Sequence, residues 1–277
     1  MNRKDITVSD LQSKTGRGGG EGGAGSEGGA GGAGGAGRAG GTGREGGRPS
    51  PTHVTLAVVL QVREGTLCVL LWERARAPFS GAWALPGGYL GQGDTLEGSI
   101  RAHLARKVDV AELSWLEQLE TLSEPGRHPD EWQLATAYLG LVPLGLDPAL
   151  PQDTAWHPID RLPGLAFDHK AIVLAGRERL RAKLSYTNIG FALAPQEFSV
   201  SELSAIYTAA LGYAVDPTNL RRVLERRGLL EATGERRAPG REGGRPAALY
   251  RFGSRDLEVT DPFAVLRPPT RVAPATD

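Results

Sequence analysis

Cysteine is nearly missing from this chain of 277 residues. Cys68 stands alone, so no intrachain disulfide and no thiolate metal cluster can form, and the residue reads as a small buried strand side chain in a reducing interior. A surplus of either charge is missing too. Lys plus Arg and Asp plus Glu both number 32, so any case for a nucleic-acid partner has to come from local clustering. No apolar run approaches the roughly 18 residues that span a bilayer, and the N-terminus lacks the charged-then-apolar order of a secretory signal. The expectation is a cytoplasmic protein with no membrane association. His103, His128 and His157 fall in different expected elements without ligand spacing. They read as surface or loop histidines, and no metal or other cofactor is expected.

Large apolar residues are absent from residues 16–47, a stretch built mainly of Gly, Ala, Ser, Glu and Arg that cannot offset its ordering entropy by burial. Its GGAGGAG pattern lacks the prolines of a collagen helix. Residues 1–50 are therefore expected to be a disordered tail, and the proline-rich residues 267–277 another. The remainder, in a chain with 40% apolar residues, suffices for two modest domains.

Residues 51–165 read as the first domain. VTLAVVLQV and TLCVLLWE, joined by REG, have the look of a β-hairpin, and AWALPGG is a short strand ended by glycines. Leu96, Ile100 and Leu104 recur at helical spacing, with Asp94 and Glu97 as a capping-box start. Strand-like LEQLETL and QLATAYLGLVPL follow across a polar loop, and WHPIDRLPG closes the segment. Residues 166–193 are a linker dominated by a helix from Asp168 to Leu184, with cations in its later turns.

Residues 194–266 form the second domain. Ser199 and Glu202 make a capping box for a helix carrying Leu203, Ile206, Tyr207, Ala210 and Leu211 on one face, stopped by Gly212. Another helix starts almost at once, with Asp216 as N-cap, Pro217 in the first turn, Leu220, Val223 and Leu224 as buried stripe and Gly228 as terminator. Two strand-like segments, LLEATGE and AALYRF, flank the basic, glycine-rich loop RRAPGREGGRP, which can serve as the wing of a winged helix. At 100° per residue, Asn219, Arg222 and Arg226 share the face opposite the stripe, flanked by Thr218, Arg221 and Glu225. Arginine and asparagine are the side chains that read guanine and adenine edges bidentately in the major groove. Arg236, Arg237, Arg241 and Arg245 of the wing can contact phosphate or reach the minor groove. Helix and wing independently indicate double-stranded DNA, although a helix-turn-helix can also serve as a protein-interaction platform.

AWALPGGYLGQGDTLEGSIRAHLARKVDV looks like the Nudix hydrolase signature. Gly88 matches its first glycine, and Leu104 and Val110 match apolar positions. The catalytic half fails. Asp94 stands for the first Glu, Ala102 for the Arg, His103 for the next Glu, Arg106 and Lys107 for the metal-binding Glu pair, and Asp109 for the later glycine. In active members that Glu pair holds the divalent ion that neutralises a diphosphate. Two unit charges at about 4 Å interact with roughly 4 kcal/mol at an effective dielectric of 20, so cations here repel the ion. No catalytic residue is expected. The competing reading is a Nudix pyrophosphohydrolase that uses unconventional residues, with the second domain as accessory.

A Nudix-like domain followed by a winged helix resembles the Nudix-related transcriptional regulators, the NrtR family. The likeness extends through AFDH, KLSYT, FSVSEL, DPTNLRR, TGERR and GRPAALYRF, and covers residues 52–252. The resemblance implies an α+β protein, with a Nudix-like α/β/α sandwich preceding a winged helix-turn-helix domain. It also implies a homodimer on palindromic operators that represses NAD biosynthesis genes, with ADP-ribose or a related nucleotide weakening DNA binding. DNA contacts are expected from Thr218, Asn219, Arg221, Arg222, Arg226, Arg236, Arg237 and Arg245. Ligand contacts are expected from Arg74, Trp83, Gly87, Gly88, His128 and Gln133.

Overall fold

The computed structural model describes residues 50–108, 110, 113–238 and 246–261. Apart from Ser50, the two tail segments expected to be disordered lie outside the described residues, as do Arg241 and Arg245. The described residues belong to one compact unit.

The long apolar run forms β1 (Thr52–Arg63), and the Glu64-Gly65 turn, both residues at positive φ, returns the chain as β2 (Thr66–Glu73). β1 is the centre of a mixed sheet. It pairs antiparallel with β2 at one end, antiparallel with β4 (Gly87–Tyr89) at the other, and parallel with β6 (Gln133–Leu141) along its length. β5 (Trp115–Leu122) joins β6, while β3 (Trp83–Ala84) and β7 (Thr154–Pro158) both join β2. Alternate residues of β1 face opposite layers: Ala57 and Val59 pack with Ile100 and Leu104 of α1 (Leu96–Lys107), whereas Leu56, Val58 and Leu60 pack with Ile172, Val173 and Leu180 of α2 (His169–Tyr186). This double burial explains why β1 reads as a continuous apolar run rather than an alternating one. The result is an α/β/α sandwich.

Three local expectations are corrected here. α1 is capped by Thr95 rather than Asp94: the Thr95 hydroxyl accepts from the Gly98 amide at 3.0 Å, while Asp94 lies one residue earlier in a turn closed by its amide and the Gly91 carbonyl. Gly87 and Gly88 do not end a strand but make one. A Cβ on Gly87 would collide with the Thr55 carbonyl oxygen of β1, so only glycine fits this pairing. The proline-marked WHP segment, read as a domain end, is instead strand β7.

α2 packs against β1 through Gly176, where a Cβ would sit 2.8 Å from Val58 Cγ1. The same core runs on without a break from this layer into Phe191, Phe198, Leu203, Ile206, Leu220, Leu224 and Phe252. Residues 166–193 are thus helix plus a 3-10 turn at Ile189–Ala192, built into a shared core.

The second half contains β8 (Phe198–Ser199), α3 (Val200–Leu211), α4 (Pro217–Arg226), β9 (Leu230–Arg237) and β10 (Ala247–Phe252), with the sheet ordered β8-β10-β9. Ser199 and Glu202 form the anticipated capping box, and Gly212 at φ 79° ends α3. Among the described residues no helix is long and apolar enough to cross a membrane.

Candidate nucleic-acid interface and effector pocket

α4 owes its position to two apolar residues and one cap. Leu220 and Leu224 are buried, and Asp216 accepts the Asn219 amide at 2.7 Å. The opposite face is exposed and carries Thr218, Asn219, Arg221, Arg222, Glu225 and Arg226. Asn219 Oδ1 accepts from Arg222 Nη2 at 2.7 Å, which presents an amide and a guanidinium side by side at the surface. Arg221 is placed differently: it donates to Glu225 at 2.7 Å and its guanidinium lies 5.3 Å from the Tyr250 ring centroid. Arg236 and Arg237 lie on β9 rather than in the wing loop, paired with Ala248 and Ala247 of β10. Arg237 is ion-paired with Glu202, the α3 capping residue. Burial pushes the Glu202 carboxyl up, but hydrogen bonds from Ser199 and the Arg237 cation outweigh it and hold the acid low. Arg226 and Arg236 are exposed and have no ion-pair partner among the described residues. Arg245 falls outside the described residues.

In the first half, a cavity of about 380 Å³ opens between β1, β2, β4, α1 and the start of α2. Five of the six expected ligand residues line it: Arg74, Gly87, Gly88, His128 and Gln133. Trp83 does not. Its ring packs edge-on against His157, 4.3 Å between centroids, because β3 turns it towards β7.

The cavity wall centres on a ring that sequence reasoning missed. Phe167, in the left-handed region at φ 53°, stacks on His128 at 5.1 Å, meets Phe79 edge-on at 4.9 Å and lies beneath the Arg74 guanidinium at 4.7 Å. Burial lowers the Arg74 pKa, but a guanidinium stays charged, so a fixed cation faces the cavity. His169, the first residue of α2, is also part of the lining and is buried. The Leu85 amide donates to its Nδ1 at 3.0 Å, which fixes the neutral Nε2–H tautomer. Burial, with Arg127 and Arg74 nearby, pushes its pKa down to about 3. Phe167 and His169 both belong to the AFDH segment, the one sequence signal that could have found them.

Behind the lining runs a polar chain. Arg127 grips Asp168, the α2 N-cap, with two bonds of 3.0 and 2.9 Å, and donates to Gln133 at 2.9 Å. Gln133 donates to Glu131 at 2.8 Å, which also accepts from Tyr89 at 2.8 Å and Thr52 at 3.0 Å. Burial pushes the Glu131 acid up; these hydrogen bonds and the nearby His128 outweigh it, so the carboxylate is favoured. The same bond to Glu131 pushes the Tyr89 phenol up.

The residues at the metal-binding positions of the Nudix box do not fit magnesium, which requires oxygen ligands. His103, which stands for a Glu, is buried rather than a surface histidine. Its ring is so close to Gly88 that a Cβ there would overlap it, and its Nε2 bonds the Tyr89 carbonyl at 3.1 Å. Arg106 is exposed and donates back to the Ala102 carbonyl. Among the described residues, no group of three or more His, Cys, Asp or Glu is placed to hold a metal ion.

Residues 190–252 match the family described as the NrtR DNA-binding winged helix domain. Over 77% of its length the chain is 29% identical to the ADPR responsive transcriptional repressor NtrR of Acinetobacter baylyi, spanning 87% of that protein. The crystal structure of Shewanella oneidensis NrtR complexed with a 27mer DNA is similar at 33% identity, with a TM-score of 0.63, covering 72% of this chain and 92% of that one. A MutT/nudix family protein from Enterococcus faecalis is similar in fold, with a TM-score of 0.61 at 23% identity, covering 74% of this chain and 89% of that one.

Proposed function

This chain belongs to the NrtR family of Nudix-related regulators, and from that premise we propose that it is a homodimeric, cytoplasmic repressor of NAD biosynthesis genes. Its Nudix-like domain senses ADP-ribose or a related nucleotide without hydrolysing it. The observation that carries the DNA half of the reading is the exposed Asn219–Arg222 pair on α4, with Arg226 on the same face. Thr218 and Arg236 add backbone contacts. Arg221 and Arg237 reach phosphate only by sharing or leaving Glu225 and Glu202.

For the effector, the cavity offers what a diphosphate-linked nucleoside and ribose require. A cation over an aromatic ring at Arg74 and Phe167 suits phosphate and base, glycine backbone at Gly87 and Gly88 allows close approach, and His128, Gln133 and His169 supply polar contacts. The absence of fitting metal ligands on α1 supports sensing over turnover.

The test is binding of the purified protein to labelled DNA from its own upstream region, with and without ADP-ribose, over a salt series. Specific binding released by ADP-ribose is expected, with affinity falling by roughly 10³ between 50 and 200 mM salt if several phosphates are contacted. Release by ADP-ribose without any turnover separates a sensor from a pyrophosphohydrolase, which would consume the ligand in the presence of magnesium.

A further inference from the structure

The match to the NrtR winged helix ends at Phe252, yet the chain continues in an ordered path that serves α4. After β10, residues 253–261 turn back along the end of α2. The buried Asn188 side chain holds them with both of its polar atoms: its Nδ2 donates to the Asp256 carbonyl and its Oδ1 accepts the Glu258 amide, both at 2.8 Å. The Thr260 and Asp261 amides both donate to the Tyr186 carbonyl, at 2.8 and 3.1 Å. At the tip of this strap sits a carboxylate. Arg227, which ends α4, donates to Asp261 Oδ2 at 3.0 Å and to the Ser185 carbonyl at 3.1 Å. The two charged side chains are only 14% and 19% exposed, so little water stands in for either partner. One guanidinium therefore joins the end of the DNA-facing helix, the end of α2 and the strap.

We propose that Arg227 and Asp261 are positioning residues for DNA recognition: the strap fixes the end of α4 against α2, and so sets the angle at which Asn219, Arg222 and Arg226 meet the groove. This rests on the DNA-binding reading of α4. Neither Arg227 nor Asp261 has to touch DNA. Bidentate base contacts require tight geometry, whereas phosphate contacts tolerate a tilted helix. Loosening the junction therefore acts on specificity before it acts on affinity for arbitrary duplex.

The full chain carrying Asp261→Ala is compared with wild type for binding to its own upstream DNA and to a scrambled duplex of equal length, at one salt concentration. The ratio of the two affinities is expected to fall by roughly tenfold, the scale of one lost base contact, with scrambled-duplex affinity nearly unchanged. Asp261→Glu is expected to recover most of the ratio. If Asp261→Ala does not fold, Arg227→Met, which removes the same bond from the other side, is read by the same ratio. A ratio that stays at the wild-type value, or equal losses on both duplexes, overturns the positioning role. A wild-type protein without preference for its own upstream DNA removes the DNA-binding reading, and the strap's role falls with it.

Discussion

Replacing Asp168 by Asn should be among the most damaging conservative changes in the protein. Arg127 is the reason: its side chain is 3% exposed and spends two of its bonds on the Asp168 carboxylate, so asparagine would leave it one neutral oxygen there beside the Gln133 amide oxygen and no counter-charge. Breaking a buried ion pair on one side costs about 3–5 kcal/mol because the other charge is left uncompensated. Asp168 keeps 26% exposure, so water offsets part of this and about 2–3 kcal/mol is expected for Asp168→Asn. Arg127→Met leaves a carboxylate that water can reach, and about 1–2 kcal/mol is expected. The double variant removes both charges. It should be less damaging than the two singles added together, with a coupling of about 1–2 kcal/mol. Urea unfolding of all four proteins measures this cycle directly, provided each transition is two-state. Asp168→Asn costing no more than an exposed substitution, within about 0.5 kcal/mol, or strict additivity in the double variant, would refute the reasoning. Arg127→Met should also weaken the effector, because Arg127 is what holds Gln133 at the cavity.

Acid should destabilise the fold through His169. The unfolded imidazole takes up a proton below about pH 6.5 while the folded one waits until about 3, so stability is lost as pH falls through that window, by about 2 kcal/mol at pH 5. His169→Gln should flatten that part of a stability-versus-pH curve, and an unchanged slope would show that the ring is not held neutral. Gly176→Ala should fail to stabilise α2 despite the roughly 1 kcal/mol that alanine gains over glycine in a helix, since its Cβ would sit 2.8 Å from Val58; a rise in melting temperature would contradict this close packing. Arg222→Ala should cost about 1–3 kcal/mol on the specific site and relax the base preference at one position, whereas Arg236→Ala should weaken all sequences alike and reduce the salt slope by about 1. Identical behaviour of the two in a binding-site selection would erase the distinction between reading helix and supporting strand.

Local chemistry made much of this legible beforehand. Ser199 with Glu202, Asp216 with Pro217, and Gly212 are short-range signals whose partners lie within one turn, and each acts as its residue type implies. Asp94 misled because Thr95, equally able to cap, lay one residue nearer the helix. The glycine pair at 87–88 misled for a different reason: its role is set by distant partners, the β1 backbone that approaches Gly87 too closely for any side chain and the His103 ring that lies against Gly88. Trp83, expected at the ligand together with the glycines beside it, faces β7 instead. Arg127 escaped for the same long-range reason, and Phe167 left only the AFDH resemblance as a signal. Nothing within a few residues of Phe167 announces that Arg74, Phe79 and His128 converge on it.

α2 is where sensing and DNA binding have to meet. Its first residue, His169, lines the cavity proposed for the effector, its N-cap is gripped by Arg127, and its last turn offers the Ser185 and Tyr186 carbonyls to Arg227 and the strap. Between these ends, Gly176 packs closely on Val58 of the central strand, and close-packed cores transmit a displacement rather than absorb it. An effector that binds one position of this helix better than another must shift DNA affinity by the ratio of its two affinities. A hundredfold release corresponds to about 2.7 kcal/mol. That is the size expected for stripping Arg127 of the Asp168 charge, about 2–3 kcal/mol, so a ligand that rearranges that one polar contact at the start of α2 would have the leverage to displace α4 from its groove.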